Sequence, residues 1–434
     1  MKLMVVGCGG VGESIIKIMK ERDPEVQWLQ KVVMADYDLA KAQRLEQELS
    51  DDRFLAEQVD ASSREALVAL IKKHEIDFVM DAALPFLTNT IFDAALEGGA
   101  NYSNMGVWTV PQDEPNCYGI GKECFREFMA DYNFDRNEAW EKKEQLAIIG
   151  LGIEPGTIDV FAKFAADYLF DELHTIDIKD GANMEEPGGG EDDVAFGFNV
   201  WTVLDECMNP NITWYKDKGY VCAEPFAGEE IFEFPDGIGP VKLYQIEHEE
   251  TVFMPKELED RGLKRVSYKI GLDDNLVHAL KAVKALGLRS MEPVEMNGAM
   301  VSPRDLVAKV APQPDEIDEN VFGKTCGGVL CEGIKDGLQR KIFLYQTTDQ
   351  QESVERFGTQ AVVAQTGFGA AIGIELVGRG IWSGCGVKTP ECFDSVPYMK
   401  LMQEAGFPFG MVEYDSEYKA DKDRRELEKL FETL

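Results

Sequence analysis

Met1–Gly12 reads MKLMVVGCGGVG, an apolar run (Leu3, Met4, Val5, Val6) that turns at once into Gly7-Cys8-Gly9-Gly10-Val11-Gly12 and then a helix-like segment, Glu13–Arg22. Strand, glycine turn and helix in that order give G-x-G-x-x-G the context it needs. Gly7 permits the tight turn, Gly9 lets a pyrophosphate reach the backbone, and Gly12 lets helix pack on strand, with Gly10 and Val11 supplying free N–H groups at the helix start. A second apolar strand, Gln30–Ala35, ends in Asp36. An acid at that place accepts hydrogen bonds from a ribose diol and repels a 2′-phosphate, so the expected cofactor is NAD rather than NADP. Arg44 is the nearest arginine after it. The competing readings are a glycine turn without ligand and a methyltransferase-type nucleoside site.

Outward from that stretch the pattern repeats. Leu39–Leu49 has helical spacing, Phe54–Val59 reads as a third strand running into Asp60-Ala61, and Ser63–Lys73 as a helix capped by Ser62 or Ser63. Asp60 and Ala61 fall where the adenine would lie. Ile76–Ala83 is a buried fourth strand whose end, Ala82-Ala83-Leu84-Pro85, falls in the crevice where open parallel sheets bind ligands. Thr88–Glu97 makes a helix that Gly98-Gly99 stops, and Ala100–Ser103 a fifth strand. Helices are expected near Gly119–Asp131 and Asn137–Gln145. The strand Gln145–Leu151 then enters the turn Gly152-Ile153-Glu154-Pro155-Gly156-Thr157-Ile158-Asp159, followed by a helix to about Tyr168. Beyond it come strand-like runs at Thr175–Ile178, Lys242–Ile246, Arg265–Leu272, Gly327–Glu332 and Arg340–Gln346, a hairpin signal at Asp336-Gly337 and a helix at Asn275–Leu286. These predict a mainly antiparallel sheet. Met184–Asp193 and Pro312–Asn320 read as acidic loops, Glu355–Val377 as one long helix rich in Ala and Gly, and Asp415–Leu434 as a charged terminal helix.

The chain has 434 residues, enough for two or three domains. With 44 Lys+Arg against 79 Asp+Glu the net charge is −35. That balance argues against nucleic acid or an anionic membrane as partner and would attract a cation, although a solvated acidic surface is the plainer reading. Nine scattered cysteines without a C-x-x-C pair predict a reduced, cytoplasmic protein with no zinc site. With a strand beginning at Leu3, no secretory leader is expected, and no apolar run reads as a membrane span.

The glycine loop, the Ala-Leu-Pro strand end, the G-x-[DE]-P-G-x-x-D turn at Gly152–Asp159, the strand Thr175–Lys179 into Asp180-Gly181-Ala182-Asn183, and the Gln365-Thr366-Gly367 helix together resemble the saccharopine dehydrogenase family. Its members include the glutamate-forming saccharopine dehydrogenase, lysine 6-dehydrogenase and the carboxynorspermidine dehydrogenases. The resemblance implies an α/β architecture: a doubly wound Rossmann domain (1–155), an inserted α+β substrate and dimerisation domain (156–352), and a C-terminal segment (353–434) that returns to the first. It also implies a homodimer and hydride transfer at a C–N bond of an amino-acid or polyamine-like substrate. Gly386-Val387 to Pro390-Glu391 is similar to the family's terminal G-V-x-x-P-E element.

Such a reaction asks the protein for a proton-handling group and for anchors of substrate charge. Glu154 stands where the family turn usually carries Asp and is a candidate for the ammonium or for acid/base work; an acid stabilising a helix N-terminus is the structural alternative. Asp180 and Asn183 occupy the position where the family places groups facing the nicotinamide, with an Asx turn as the plainer reading. His248, between Glu247 and Glu249-Glu250, is a candidate general acid that its acidic neighbours would keep protonated near neutrality, with a structural histidine as the plainer reading. Trp108, Trp201 and Trp214 are candidates for lining a methylene chain, and Arg126, Arg265 and Arg289 for a substrate carboxylate. Two further functions stay open: oxidative deamination of the lysine 6-dehydrogenase type, and a non-catalytic dinucleotide sensor.

Overall fold

The computed structural model describes residues 1–109, 119–120, 127–185, 194, 196–312 and 320–418. Arg126, most of the 184–193 and 312–320 loops, Cys117, Cys124 and the terminal helix expected beyond residue 418 lie outside the described residues.

The first sheet is wholly parallel and contains β1 (Lys2–Val6), β2 (Lys31–Asp36), β3 (Phe54–Gln58), β4 (Phe78–Asp81), β5 (Asn101–Asn104), β7 (Leu146–Ile148) and β18 (Gly386–Lys388), in the order β18-β7-β5-β4-β1-β2-β3. Its apolar runs bury both faces. Leu3 and Val5 join one apolar cluster with Ile15, Ile16 and Met19 of α1 (Gly10–Arg22) and Leu45 of α2 (Leu39–Leu49). Met4 and Val6 join another with Leu67 and Ile71 of α3 (Arg64–His74) and Phe92 of α4 (Thr88–Gly98). Asp38 caps α2 and Ser63 caps α3 through their side chains, and Gly99, at φ 90°, ends α4. Two short helices, α5 (Asp131–Phe134) and α6 (Asn137–Lys142), lead into β7.

The second sheet is mixed. Its long strands are β8 (Glu172–Ala182), β16 (Lys324–Lys335) and β17 (Leu338–Asp349), joined on one side by β19 (Phe409–Glu413) and on the other by β13 (Arg265–Gly271), β9 (Asn211–Tyr215), β10 (Gly219–Ala223) and β6 (Gly119–Ile120). β12 (Gly239–Gln245) pairs with β13 and with β11 (Glu230–Phe234). β8 and β13 run parallel while the other pairs are antiparallel. Asp336 (φ 52°) and Gly337 (φ 78°) make the β16–β17 turn, with the two positive φ angles of a type I′ hairpin. Around this sheet lie α7 (Thr157–Phe164), α8 (Val200–Met208), α9 (Glu250–Leu258), α10 (Asp274–Ala285), and the outlying hairpin β14 (Val294–Met296) and β15 (Ala299–Val301) with α11 (Pro303–Val310).

Three expectations are corrected. Gly119–Ile120 is a strand on β10, not the start of a helix, because its partner edge in the second sheet supplies the hydrogen bonds. The long helix is two, α12 (Gln350–Phe357) and α13 (Ala361–Gly378), broken where Gly358 takes φ 66°. Asp180 does not follow a strand in an Asx turn: it lies inside β8, paired with Ile270 and Gly327, because cross-strand pairing overrides the local Asp-Gly turn signal.

The last part of the chain serves both sheets. β18 extends the first and β19 the second, and α13 lies between them, with Gly367 against Ser14 of α1 and Gly373 against Leu151. Its length and composition would suffice to cross a membrane, yet 83% of it is buried inside the protein. Glu375 near its end is wholly buried and held by the Arg22 guanidinium at 2.6 and 3.0 Å. After α14 (Ser395–Glu404) the chain enters β19.

Candidate active site

The glycine loop closes over the end of β4. A side chain on Gly7 (φ 100°) would strike Ala82 O, and one on Gly12 would strike Gly7 O, so both glycines are demanded by the protein itself. Gly9 differs. Its backbone is extended (φ −74°), it is exposed, and a Cβ there would meet no protein atom within 4 Å. Neither strain nor crowding asks for glycine at that point; the space it leaves fits a pyrophosphate over the N-terminus of α1, beside Gly10 and Val11. Asp36 accepts the Cys8 N–H at 2.7 Å and the Asp38 N–H at 2.8 Å, which ties the loop to β2 and leaves the carboxylate half-buried at the sheet edge where a ribose would lie. These residues suit a dinucleotide.

Next along the edge, Asp81 is buried and accepts from the Ala83 N–H at 3.0 Å and the Tyr102 hydroxyl at 2.9 Å, which shapes the exit through Ala83, Leu84 and Pro85. Burial pushes its carboxyl up to about 6. Asp60 is exposed and accepts from Ser62 at 2.9 and 2.6 Å, closing its own turn, with Ala61 buried beside it. Phe86 then projects to meet Trp108 (centroids 6.5 Å apart) and Trp201 of α8 (5.3 Å), an aromatic wall drawn from both sheets' territories. Trp214 belongs to the core.

Acids gather where the turn after β7, β8, α8 and the start of α9 approach one another. Glu154, on the turn after β7, meets β8, β13 and β16. Tyr268 pairs in register with Ile178, two residues before Asp180, so Tyr268 and Asp180 share one sheet face, as does Gly327 opposite Asp180. A Cβ at Gly327 would overlap Glu154 Oε1; its absence makes room for the carboxylate. The Tyr268 hydroxyl donates to Glu154 Oε2 at 2.7 Å, while Oε1 has no donor. His248, just before α9, stacks on Tyr268 with centroids 3.9 Å apart. Its Nδ1 hydrogen-bonds Glu250 and lies 3.6 Å from Glu249, whose Oε1 in turn accepts the Val107 N–H at 2.9 Å. Ligand-type atoms of Glu206, His248 and Glu249 fall within 4.8 Å of one another.

This crowding sets the charge states. Burial raises the Glu154 carboxyl well above its usual range, and the neighbouring charges of Asp180 and Glu250 add to it. Burial likewise pushes Asp180 up to about 7 and Glu206 to about 8. Burial alone would favour neutral His248, but Glu250, Glu206 and Glu249 outweigh it and hold the imidazolium well above its ordinary pKa. Glu154, Asp180 and Glu206 keep partial solvent access, whereas His248 and Glu249 are buried, so this acidic recess meets solvent at the first three only.

The other candidates have contacts of their own. Asn183 accepts the Lys324 N–H at 2.8 Å and donates to Gly237 O at 3.4 Å, bracing the end of β8. Arg265 pairs with Asp177, and Arg289 donates to Met208 O at 2.7 Å. Sequence reasoning missed Tyr268, Glu206 and Gly327, and named Glu249 only as an acidic neighbour of His248.

The chain matches the family described as Saccharopine dehydrogenase NADP binding domain over residues 3–148 and that described as Saccharopine dehydrogenase C-terminal domain over residues 152–407. It is similar to Carboxyaminopropylagmatine dehydrogenase of Synechocystis sp., 25% identical over 411 residues (95% of this chain, 97% of that protein). It is also similar to Carboxynorspermidine synthase of Vibrio cholerae, 26% identical over 426 residues (96% and 98%). Among solved structures, apo saccharopine dehydrogenase (L-Glu forming) from Saccharomyces cerevisiae superposes with TM-score 0.67 at 13% identity, covering 95% of this chain and 100% of that one. Homospermidine synthase from Legionella pneumophila in complex with NAD gives 0.66 at 16% identity, covering 98% and 94%. Those structures share the fold, and the two family matches together take in the first sheet, the second sheet apart from β19, and the acidic recess: the chain belongs to the saccharopine dehydrogenase family, as an NAD(P)-dependent oxidoreductase acting on C–N groups.

Proposed function

We propose that this enzyme joins a primary amine of a di- or polyamine to an aldehyde and reduces the resulting imine, with NADH preferred over NADPH. The observation that carries the reading is the acidic recess. Glu154, Asp180, Glu206 and Glu249 converge there, and among the described residues its ion pairs are those of His248 with Glu249 and Glu250. Carboxylates held at such cost in a reachable recess suit a ligand that brings positive charge. The aromatic wall of Phe86, Trp108 and Trp201 suits the methylene spacer between ammonium groups. Relatives named for carboxyaminopropylagmatine and carboxynorspermidine support the same substrate class, and an amino-acid semialdehyde would supply the carboxyl group. We read the Glu206 and Glu249 carboxylates as an ammonium site rather than a metal site, since a protonated His248 beside them has no lone pair to give a metal.

In this scheme the amine attacks the aldehyde carbon to give a carbinolamine. Protonated His248 donates to the departing hydroxyl, which leaves as water. Glu154 and Asp180 stabilise the positive iminium carbon–nitrogen unit. A nicotinamide cofactor held by Gly9, Gly10, Val11 and Asp36 would supply a hydride for that carbon, leaving a secondary amine as the product. Asp36 underlies the preference for NADH, since its carboxylate opposes a 2′-phosphate.

The test is NADH and NADPH oxidation with putrescine, diaminopropane, agmatine or spermidine, each combined with aspartate semialdehyde, 2-oxoglutarate or pyruvate. Reverse assays use lysine and saccharopine. Turnover that requires a di- or polyamine and runs faster with NADH is expected. Ammonia release from lysine alone would replace this reading with oxidative deamination, and cofactor binding without any turnover would favour a sensor.

A further inference from the structure

Two motif residues have no part in that chemistry. Asp159 closes the Gly152–Asp159 turn, and Glu391 ends the Gly386–Glu391 element far along the chain. They meet in the interior, where Asp159 is 0% and Glu391 2% exposed. Asp159 Oδ2 accepts the Gly156 N–H at 2.6 Å, which closes the turn carrying Glu154. No well-formed hydrogen bond reaches its Oδ1 or either Glu391 side-chain oxygen; the two carboxyls approach one another within hydrogen-bonding range, with the Thr389 side chain and the Glu391 N–H close to Glu391. Among the described residues, the groups that act most strongly on the pair carry no positive charge: Glu250 and Glu257 from α9, Tyr398 from α14, and Thr389 and Cys392 from Glu391's own turn. The Tyr398 hydroxyl is committed to Thr157 Oγ1 at 2.7 Å and Gly369 O at 3.0 Å.

Asp159 Oδ1 faces a second carboxyl rather than a donor, and two buried carboxylates in contact do not both ionise. We infer that Asp159 and Glu391 share one proton, and that this acid–carboxylate hydrogen bond clamps the C-terminal segment onto the turn that positions Glu154. Both are positioning residues. The inference deepens the proposed function only through Glu154; the clamp itself is tested without a substrate.

Folded, the pair keeps a proton that two free acids release above pH ~4–4.5. The native state therefore binds more protons than the unfolded chain over that range, and its contribution to stability falls as pH rises toward the pair's elevated pKa. In Glu391→Gln the amide N–H takes over the proton's role. Urea unfolding from pH 5 to 9 should then show a pH slope smaller than wild type by up to one proton. At pH 7 Glu391→Gln should keep kcat within about threefold, whereas Glu391→Ala loses roughly tenfold or more through displacement of Glu154, with NADH binding unchanged. Asp159→Asn, whose Oδ1 still accepts from Gly156, should reproduce the reduced slope and serves if Glu391→Ala does not fold. A wild-type slope in both amide variants, or equal loss of kcat in Glu391→Gln and Glu391→Ala, overturns the clamp. Absence of turnover on the amine panel would count against the proposed function and leave the unfolding result to decide the clamp.

Discussion

Tyr268 lies flat on His248, with ring planes 6° from parallel and centroids 3.9 Å apart, and its hydroxyl donates to Glu154 at 2.7 Å. One side chain thus fixes the orientation of the proposed acid and supplies the hydrogen bond that tempers a buried carboxylate.

Tyr268→Phe keeps the stack and removes the donor, so neither Glu154 oxygen retains a partner in a site where burial already disfavours ionisation. Loss of a hydrogen bond to a buried charge costs ~1–3 kcal/mol, and kcat is expected to fall about 10- to 100-fold. NADH affinity, measured by fluorescence titration, should stay within experimental error; a normal kcat would show that Glu154 works without this bond.

The pH dependence of substrate binding follows from Asp180 at about 7 and Glu206 at about 8. Below these values the empty recess holds protons, and an ammonium ligand must displace them. Raising the pH from 6 to 8.5 ionises both acids while a polyamine stays cationic, so KM for the amine should drop by about tenfold or more. Calorimetry in buffers of different ionisation enthalpy should register proton release on amine binding, greatest near pH 6 to 7. Glu206→Gln should flatten the upper part of the KM profile. Proton uptake instead of release would contradict the assignment of these charge states.

Gly327→Ala places a methyl group against Glu154 Oε1. Because Glu154 must shift while the glycine loop is untouched, kcat should fall on the order of 100-fold, the loss a displacement of ~1 Å can cause, with the NADH dissociation constant preserved. Equal losses in NADH binding and turnover would mean that the substitution disturbs the sheet rather than the site.

Asp36→Asn retains an acceptor for the Cys8 N–H and removes the charge. The ratio of NADPH to NADH dissociation constants is expected to fall by roughly tenfold, the equivalent of ~1.4 kcal/mol. A ratio that does not move would locate cofactor discrimination elsewhere.

Much of the first sheet could be read directly, since buried parallel strands and capped helices carry local signals. Leu39–Leu49 came out with its observed ends, and Ser63 caps its helix. Glu154 was visible through its glycine-proline turn, and His248 through its acidic neighbours. Tyr268 and Glu206 were not, because each occupies an ordinary position of a strand or helix and gains meaning only when β13 and α8 face the turn after β7. Asp180 misled for the opposite reason: Asp-Gly signals a turn locally, while pairing to β13 and β16 on either side decides the strand. Asn183 and Asp60 illustrate polar residues whose side chains are occupied in bracing the backbone.

The chain passes between the two sheets at β5 to β6, β6 to β7, β7 to β8, β17 to β18 and β18 to β19. Neither lobe can therefore be excised as a continuous piece of polypeptide. A truncation ahead of Gly386 would strip an edge strand from each sheet together, and a nick between the lobes would leave fragments still interlocked. Any opening or closing around the acidic recess must consequently bend all of these connections in concert rather than a single hinge.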